Sequence, residues 1–109
     1  MEKDFWKQVL QMQLNDNEIV YEYILKYDIQ LYLFGSARIS IMPNDLDILL
    51  VYPDDSKVAK ALVLKKMLIG YLQEVNDIEV HMILMTVQEN EEVNFVEKED
   101  ALKLQICRK

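Results

Sequence analysis

Asp45 and Asp47 stand one residue apart at the head of an apolar run, Ile48-Leu49-Leu50-Val51. Asp is disfavoured in strands, so two of them at the opening of one ask for a reason. Residues i and i+2 of a strand point to the same face. The two carboxylates therefore lie side by side, while Leu46, Ile48 and Leu50 take the other face. Like charges that close repel, and burying them unpaired is costly. A divalent cation resolves that conflict: Mg²⁺ takes one or two carboxylates, keeps several waters and fills its other positions with substrate phosphates. Upstream, Gly35-Ser36 follows the short run Leu31 to Phe34. Gly permits a tight turn and close backbone approach, and exposed backbone N–H groups beside a Ser hydroxyl can hold phosphate oxygens. Strand, Gly-Ser turn, short loop and Asp-x-Asp together suggest a site for a metal nucleoside triphosphate, with Arg38 as a further candidate for the phosphates.

The elements that must position these groups follow from patterning. Leu31–Phe34 and the run opening at Asp45 predict two strands, and Ile78–Met85 predicts a third, with Ile78, Val80, Met82 and Leu84 on one face and Glu79, His81 and Ile83 on the other. Glu79 repeats the pattern of an acid early in an apolar strand, and Asp77 is the alternative if the strand begins earlier. His81 shares the face of Glu79 and could contact phosphate or acceptor, or act as a base, although a lone strand histidine is more often structural. Helices are predicted from Glu2 to Gln13, with Phe5, Val9 and Met12 at helical spacing, and from a cap at Asn15 or Asp16 to about Lys26, with Ile19, Val20, Tyr23, Ile24 and Tyr27 on one stripe. A third runs from Lys57 to Gln73 with Ala61, Leu64, Leu68 and Tyr71 toward the core, Gly70 marking close packing. Thr86-Val87-Gln88-Glu89 matches a capping box. Phe95 is expected to anchor the tail, and Ala101, Leu102 and Leu104 to form a last short helix.

Length and charge bound the function. At 109 residues the chain reads as a single domain, residues 1–109, of α/β (α+β) class: a small mixed sheet with helices packed on it. The net charge of −7 argues against a long nucleic-acid substrate, which normally needs a basic track. One cysteine, Cys107, excludes an internal disulfide framework and fits a reducing compartment. No signal-peptide pattern opens the chain and no apolar run approaches the roughly 20 residues of a membrane span, so a cytoplasmic protein is expected. Glu89, Glu91, Glu92, Glu97, Glu99 and Asp100 make the tail acidic, a solvated face that could also dock on a basic partner.

Phe34-Gly35-Ser36-Ala37-Arg38 followed by Asp45-Leu46-Asp47-Ile48-Leu49-Leu50-Val51 resembles the signature of the polymerase β-like nucleotidyltransferase superfamily, and the length resembles its minimal nucleotidyltransferases. The resemblance spans Gln30 to Met85 and implies the palm-like nucleotidyltransferase fold of that family. It implies that Gly35, Ser36 and Arg38 bind the nucleotide, that Asp45 and Asp47 bind Mg²⁺, as two ions, and that Glu79 is the third acid, ligating metal or activating the acceptor hydroxyl. Glu79 is one methylene longer than the Asp usual there, and the loop from Ala37 to Asn44 lacks the family's further glycine. By the same resemblance the expected function is transfer of AMP from ATP to a hydroxyl of a helical partner protein, a HEPN-type toxin, in an antitoxin role. The alternatives are transfer to a small aminoglycoside-type acceptor, with the pocket completed in a homodimer, and a non-catalytic module that binds only nucleotide or partner.

Overall fold

Alternation along three strands decides the layering of this protein. The computed structural model describes residues 4–106. In chain order it has α1 (Phe5–Asp16), α2 (Glu18–Lys26), β1 (Gln30–Phe34), β2 (Asp45–Tyr52), α3 (Val58–Asn76), β3 (Glu79–Thr86), α4 (Val87–Val93), α5 (Phe95–Lys98) and β4 (Leu102–Lys103), with short 3₁₀ turns at Gly35–Arg38 and Asp55–Lys57. The strands form one mixed sheet in the order β3-β2-β1-β4. β1 is antiparallel to both β2 and β4, whereas β2 and β3 run parallel. A parallel pair needs a crossover connection, and α3 supplies it. The result is a mixed α+β domain, as the patterning predicts.

Leu31, Leu33, Leu46, Ile48, Leu50, Val80 and Met82 share one buried cluster with Leu10 and Leu14 of α1, Val20 and Ile24 of α2, and Ala61, Leu64, Leu68 and Leu72 of α3. The other sheet face carries the rows Phe34, Asp47, His81 and Tyr32, Leu49, Ile83, set by the register of the three strands. Phe95 on α5 stands against that face, its ring 5.0 Å from Phe34 in an edge-on contact, so it anchors the tail as expected. The capping box at Thr86 is formed: the Glu89 N–H donates to Thr86 Oγ1 at 3.0 Å and the Thr86 N–H donates to Glu89 Oε1 at 2.8 Å.

At the free edge of β3, the Val80 N–H donates to Gln73 Oε1 at 3.0 Å. Together with the Thr86 amide, both ends of that edge are occupied by side chains, which leaves less of it open for pairing with another chain.

Several expectations are corrected. Leu14 is fully buried, so α1 runs through it to Asp16 instead of ending at Gln13, and Glu2 of the expected helix, like Cys107, lies outside the described residues. The inward pair of α1 is Leu10 and Leu14, four residues apart, which turns Phe5 and Met12 outward at 44% and 58% exposure. Asn17, not Asn15 or Asp16, caps α2, its Oδ1 accepting from the Val20 N–H at 3.2 Å. Asn15 instead donates to the Gln11 and Gln105 carbonyls. Ile19 leaves the expected stripe and is exposed, while Tyr21 joins the core. α3 continues three residues past Gln73, held by the Asn76 amide on the Leu72 carbonyl and stopped at Asp77, which adopts the left-handed conformation. Gly70 packs against nothing: a Cβ there would enter open space. The expected last helix is a strand, because the free edge of β1 pairs with Leu102 and Lys103 and then accepts the Leu104 N–H on the Leu31 carbonyl at 2.8 Å.

Candidate metal site at the head of the parallel strands

Parallel register brings Asp45 opposite Glu79 and Asp47 opposite His81. All four point to the face away from the helices, because their neighbours Leu46, Ile48, Val80 and Met82 fill the core. His81 Nδ1 lies 3.4 Å from Asp45 Oδ2 and 3.6 Å from Asp47 Oδ1, and its Nε2 lies 3.1 Å from Glu79 Oε2. Ligand atoms of Asp45, Asp47 and His81 all fall within 4.8 Å of one another, a group able to hold a metal ion. Donors on opposite sides of an ion with 2.0–2.2 Å bonds lie about 4–4.4 Å apart.

Gly35 completes the setting from the next strand over. Phe34 pairs with Asp47, which puts the following glycine against the Asp47 carboxyl. Gly35 has φ +76°, and a Cβ on it would press into Asp47 Oδ2 and lie 3.2 Å from Cγ. Both the backbone conformation and the space demand glycine. The 3₁₀ turn it opens points Ser36 to solvent, and the Ser36 carbonyl accepts from the Ile39 and Ser40 amides at 3.2 and 2.9 Å. Arg38, at the end of that turn, pairs with Asp100 at 3.4 Å, and its buried Nε has no hydrogen-bond partner.

Electrostatics mark the cluster as strained in charge. Burial, then the neighbouring Asp45 charge, push the Asp47 carboxyl above the usual carboxylate range, and His81 offsets this only in part. The Glu79 carboxylate beside Nε2, followed by the other carboxylates, holds the His81 imidazole above its ordinary value against partial desolvation. A cation beside Asp45 and Asp47 would relieve the first effect directly.

Of the residues singled out by sequence, the structure gathers Asp45 and Asp47 beside Gly35 and places Ser36 and Arg38 on the adjoining turn. Glu79 lies beyond the imidazole, with its side chain 68% exposed, and His81 stands between it and the two aspartates. Asp77 is the cap residue after α3, outside the strand. The convergence of His81 with the aspartates was legible once the strands are taken as parallel: setting Asp-Leu-Asp beside Glu-Val-His in register pairs Asp47 with the imidazole.

Comparison with known proteins finds no match to this chain among family models, curated proteins or solved structures. Among the described residues, no helix is long and apolar enough to cross a membrane.

Proposed function

We propose that this protein is a divalent-metal-dependent nucleotidyltransferase that moves AMP from ATP onto a hydroxyl of a partner protein, in the antitoxin manner of the minimal nucleotidyltransferases that its motifs resemble. The observation that carries this reading is the pair Asp45 and Asp47, side by side on a central strand and backed by a glycine that leaves room for nothing larger. Asp45 and Asp47 would hold Mg²⁺. A bound ion supplies charge neutralisation on the triphosphate and on the departing pyrophosphate. Gly35 and Ser36 position the phosphates through the turn that follows β1, and Arg38 adds a cation at its far end. The acceptor oxygen forms a bond to the α-phosphorus as the bond to pyrophosphate breaks, and its proton passes to the exposed Glu79 carboxylate at the rim.

A protein acceptor is favoured by what surrounds that rim. An open hollow of about 590 Å³, lined in part by Trp6, Ile41, Met42, Asp77 and Glu79, adjoins it. Ile39, Ile41 and Met42 are exposed on the loop leading into β2, Met42 at 85%. Such an apolar margin suits a protein surface better than a polycationic drug.

The test is labelled-nucleotide transfer in Mg²⁺, with each nucleoside triphosphate and a lysate of the source cells. A labelled protein band that the Asp45→Asn/Asp47→Asn variant fails to produce is the expected result. Label on a small molecule would move the acceptor class. Metal-dependent nucleotide binding without any transfer would leave only the binding-module reading, and no binding at all would sink the proposal.

A further inference from the structure

We infer that His81 completes the cation site as its third ligand, that Glu79 holds the imidazole in place, and that the site therefore prefers Mn²⁺ over Mg²⁺. This rests on the reading of Asp45 and Asp47 as metal ligands and changes what joins them. The geometry separates the two imidazole nitrogens. Nε2 is within hydrogen-bond distance of Glu79 Oε2, at 3.1 Å, while Nδ1 faces the two aspartate carboxylates at 3.4 and 3.6 Å. An Nε2–H donated to Glu79 selects the neutral tautomer whose Nδ1 lone pair is free for an ion. A carboxylate behind a ligating histidine is the usual way in which its ring is fixed. All three ligands sit on the sheet face turned away from the helices, Asp45 and Asp47 on β2 and His81 opposite Asp47 on β3, so the backbone register fixes their spacing.

Ligand type then decides the ion. A site of two carboxylates and waters suits Mg²⁺, which demands oxygen donors and gives up water reluctantly. An imidazole nitrogen raises affinity for first-row transition ions, and Mn²⁺ is the one that also accepts a carboxylate-rich, water-filled shell. Glu79 thus acts twice: one oxygen positions His81, and the other remains available at the rim for the acceptor's proton.

The experiment uses the full chain and Mn²⁺ alone. Mn²⁺ binding is followed by loss of the free-ion electron paramagnetic resonance signal, and the bound ion is then probed for nitrogen coupling by pulsed measurement. The expected result is saturable binding with ¹⁴N coupling, displaced only by about tenfold or greater excess of Mg²⁺. His81→Asp should abolish the nitrogen coupling and bring the Mn²⁺ and Mg²⁺ affinities together. Glu79→Ala should weaken Mn²⁺ binding by about 10–100-fold, and Glu79→Gln, which can still accept from Nε2–H, should restore part of it. His81 and Glu79 are 51% and 68% exposed, so these variants leave the core intact, which circular dichroism checks. Binding that lacks nitrogen coupling and survives His81→Asp, yet is lost in Asp45→Asn, would overturn the inference and leave the aspartate pair standing as a metal site. No saturable binding in the wild type would overturn both.

Discussion

The two faces of β2 differ by one residue step and by almost everything else. Leu46, Ile48 and Leu50 are at most 1% exposed and bind the sheet to three helices. Asp45 and Asp47, between and beside them, carry the acid pair that the sequence singles out and open to solvent with His81 and Glu79. Strand alternation separates stability from chemistry without any intervening chain. The helical face is a packed interior in which volume decides the outcome; the head of the other face is a charge problem in which the ligand decides it, although Leu49 and Val51 further along that face are buried.

That contrast can be broken from the helical side first. Leu68 on α3 is fully buried in the cluster beneath β2. Leu68→Ala should cost about 2–5 kcal/mol, read by urea unfolding, while any folded protein keeps its metal affinity unchanged. A loss of metal binding that exceeds the unfolded fraction would show that the faces are coupled.

Gly35 lies at the junction of the two faces. Gly35→Ala must take an L side chain to φ +76° and displace the Asp47 carboxyl. About 1–3 kcal/mol of stability should go, and metal affinity with it, because both terms act at one residue. Retained metal affinity in a calorimetric titration would mean that Asp47 is free to relocate.

On the open face, Asp47→Asn should do the opposite to stability. Burial and Asp45 hold the Asp47 carboxyl above its unfolded value, so the native state binds that proton more tightly than the unfolded chain. Its contribution favours folding at acid pH and is lost as pH rises through the raised native value; at neutral pH the charge opposes folding. The variant should therefore be more stable at neutral pH, by less than about 1 kcal/mol, while nucleotide transfer disappears. Destabilisation in thermal or urea melts would contradict the electrostatic account.

The smallest effect is expected at His81. Its native value is raised, first by Glu79. The stability that it contributes in the metal-free protein is fully present below the unfolded value and lost as pH rises through the native one. Urea midpoints compared between mildly acid and mildly alkaline buffer should fall less in His81→Gln than in the wild type, and an identical fall in both would remove the imidazole from the pair. Metal binding has the opposite dependence, strengthening with pH as the proton leaves.

Legibility followed the same division. The strands, the aspartates on one face and the Thr86–Glu89 cap were readable because alternation and local hydrogen bonding are encoded within a few residues. The inward face of α1 was not, and that of α2 was so only in part, with Val20 and Ile24 buried as expected but Ile19 exposed, because Phe5, Met12 and Ile19 are as apolar as Leu10 and Leu14, and only the partner surface chooses among them. The tail failed for a related reason: Leu102 and Lys103 satisfy an edge of β1 some 70 residues away in sequence, a demand that no local propensity carries. At the site, the aspartates were visible in one strand, but their convergence with His81 needed the register between two.

The sealed ends of β3 carry a consequence of their own. One seal, Gln73, belongs to the long helix α3; the other, Glu89, belongs to α4, a seven-residue helix with no buried residue. A short helix of that kind opens locally at far lower free energy than the domain unfolds. Each opening frees the Thr86 amide at the end of an edge strand that already shows Ile83 to solvent. Self-association of concentrated protein should therefore keep pace with exchange of the Thr86 amide hydrogen, and a Glu89→Ala variant should speed both together while the melting temperature hardly moves. In this chain one of the two guards of that edge hangs on a short helix without a buried residue, and its strength is set by how often that helix lets go.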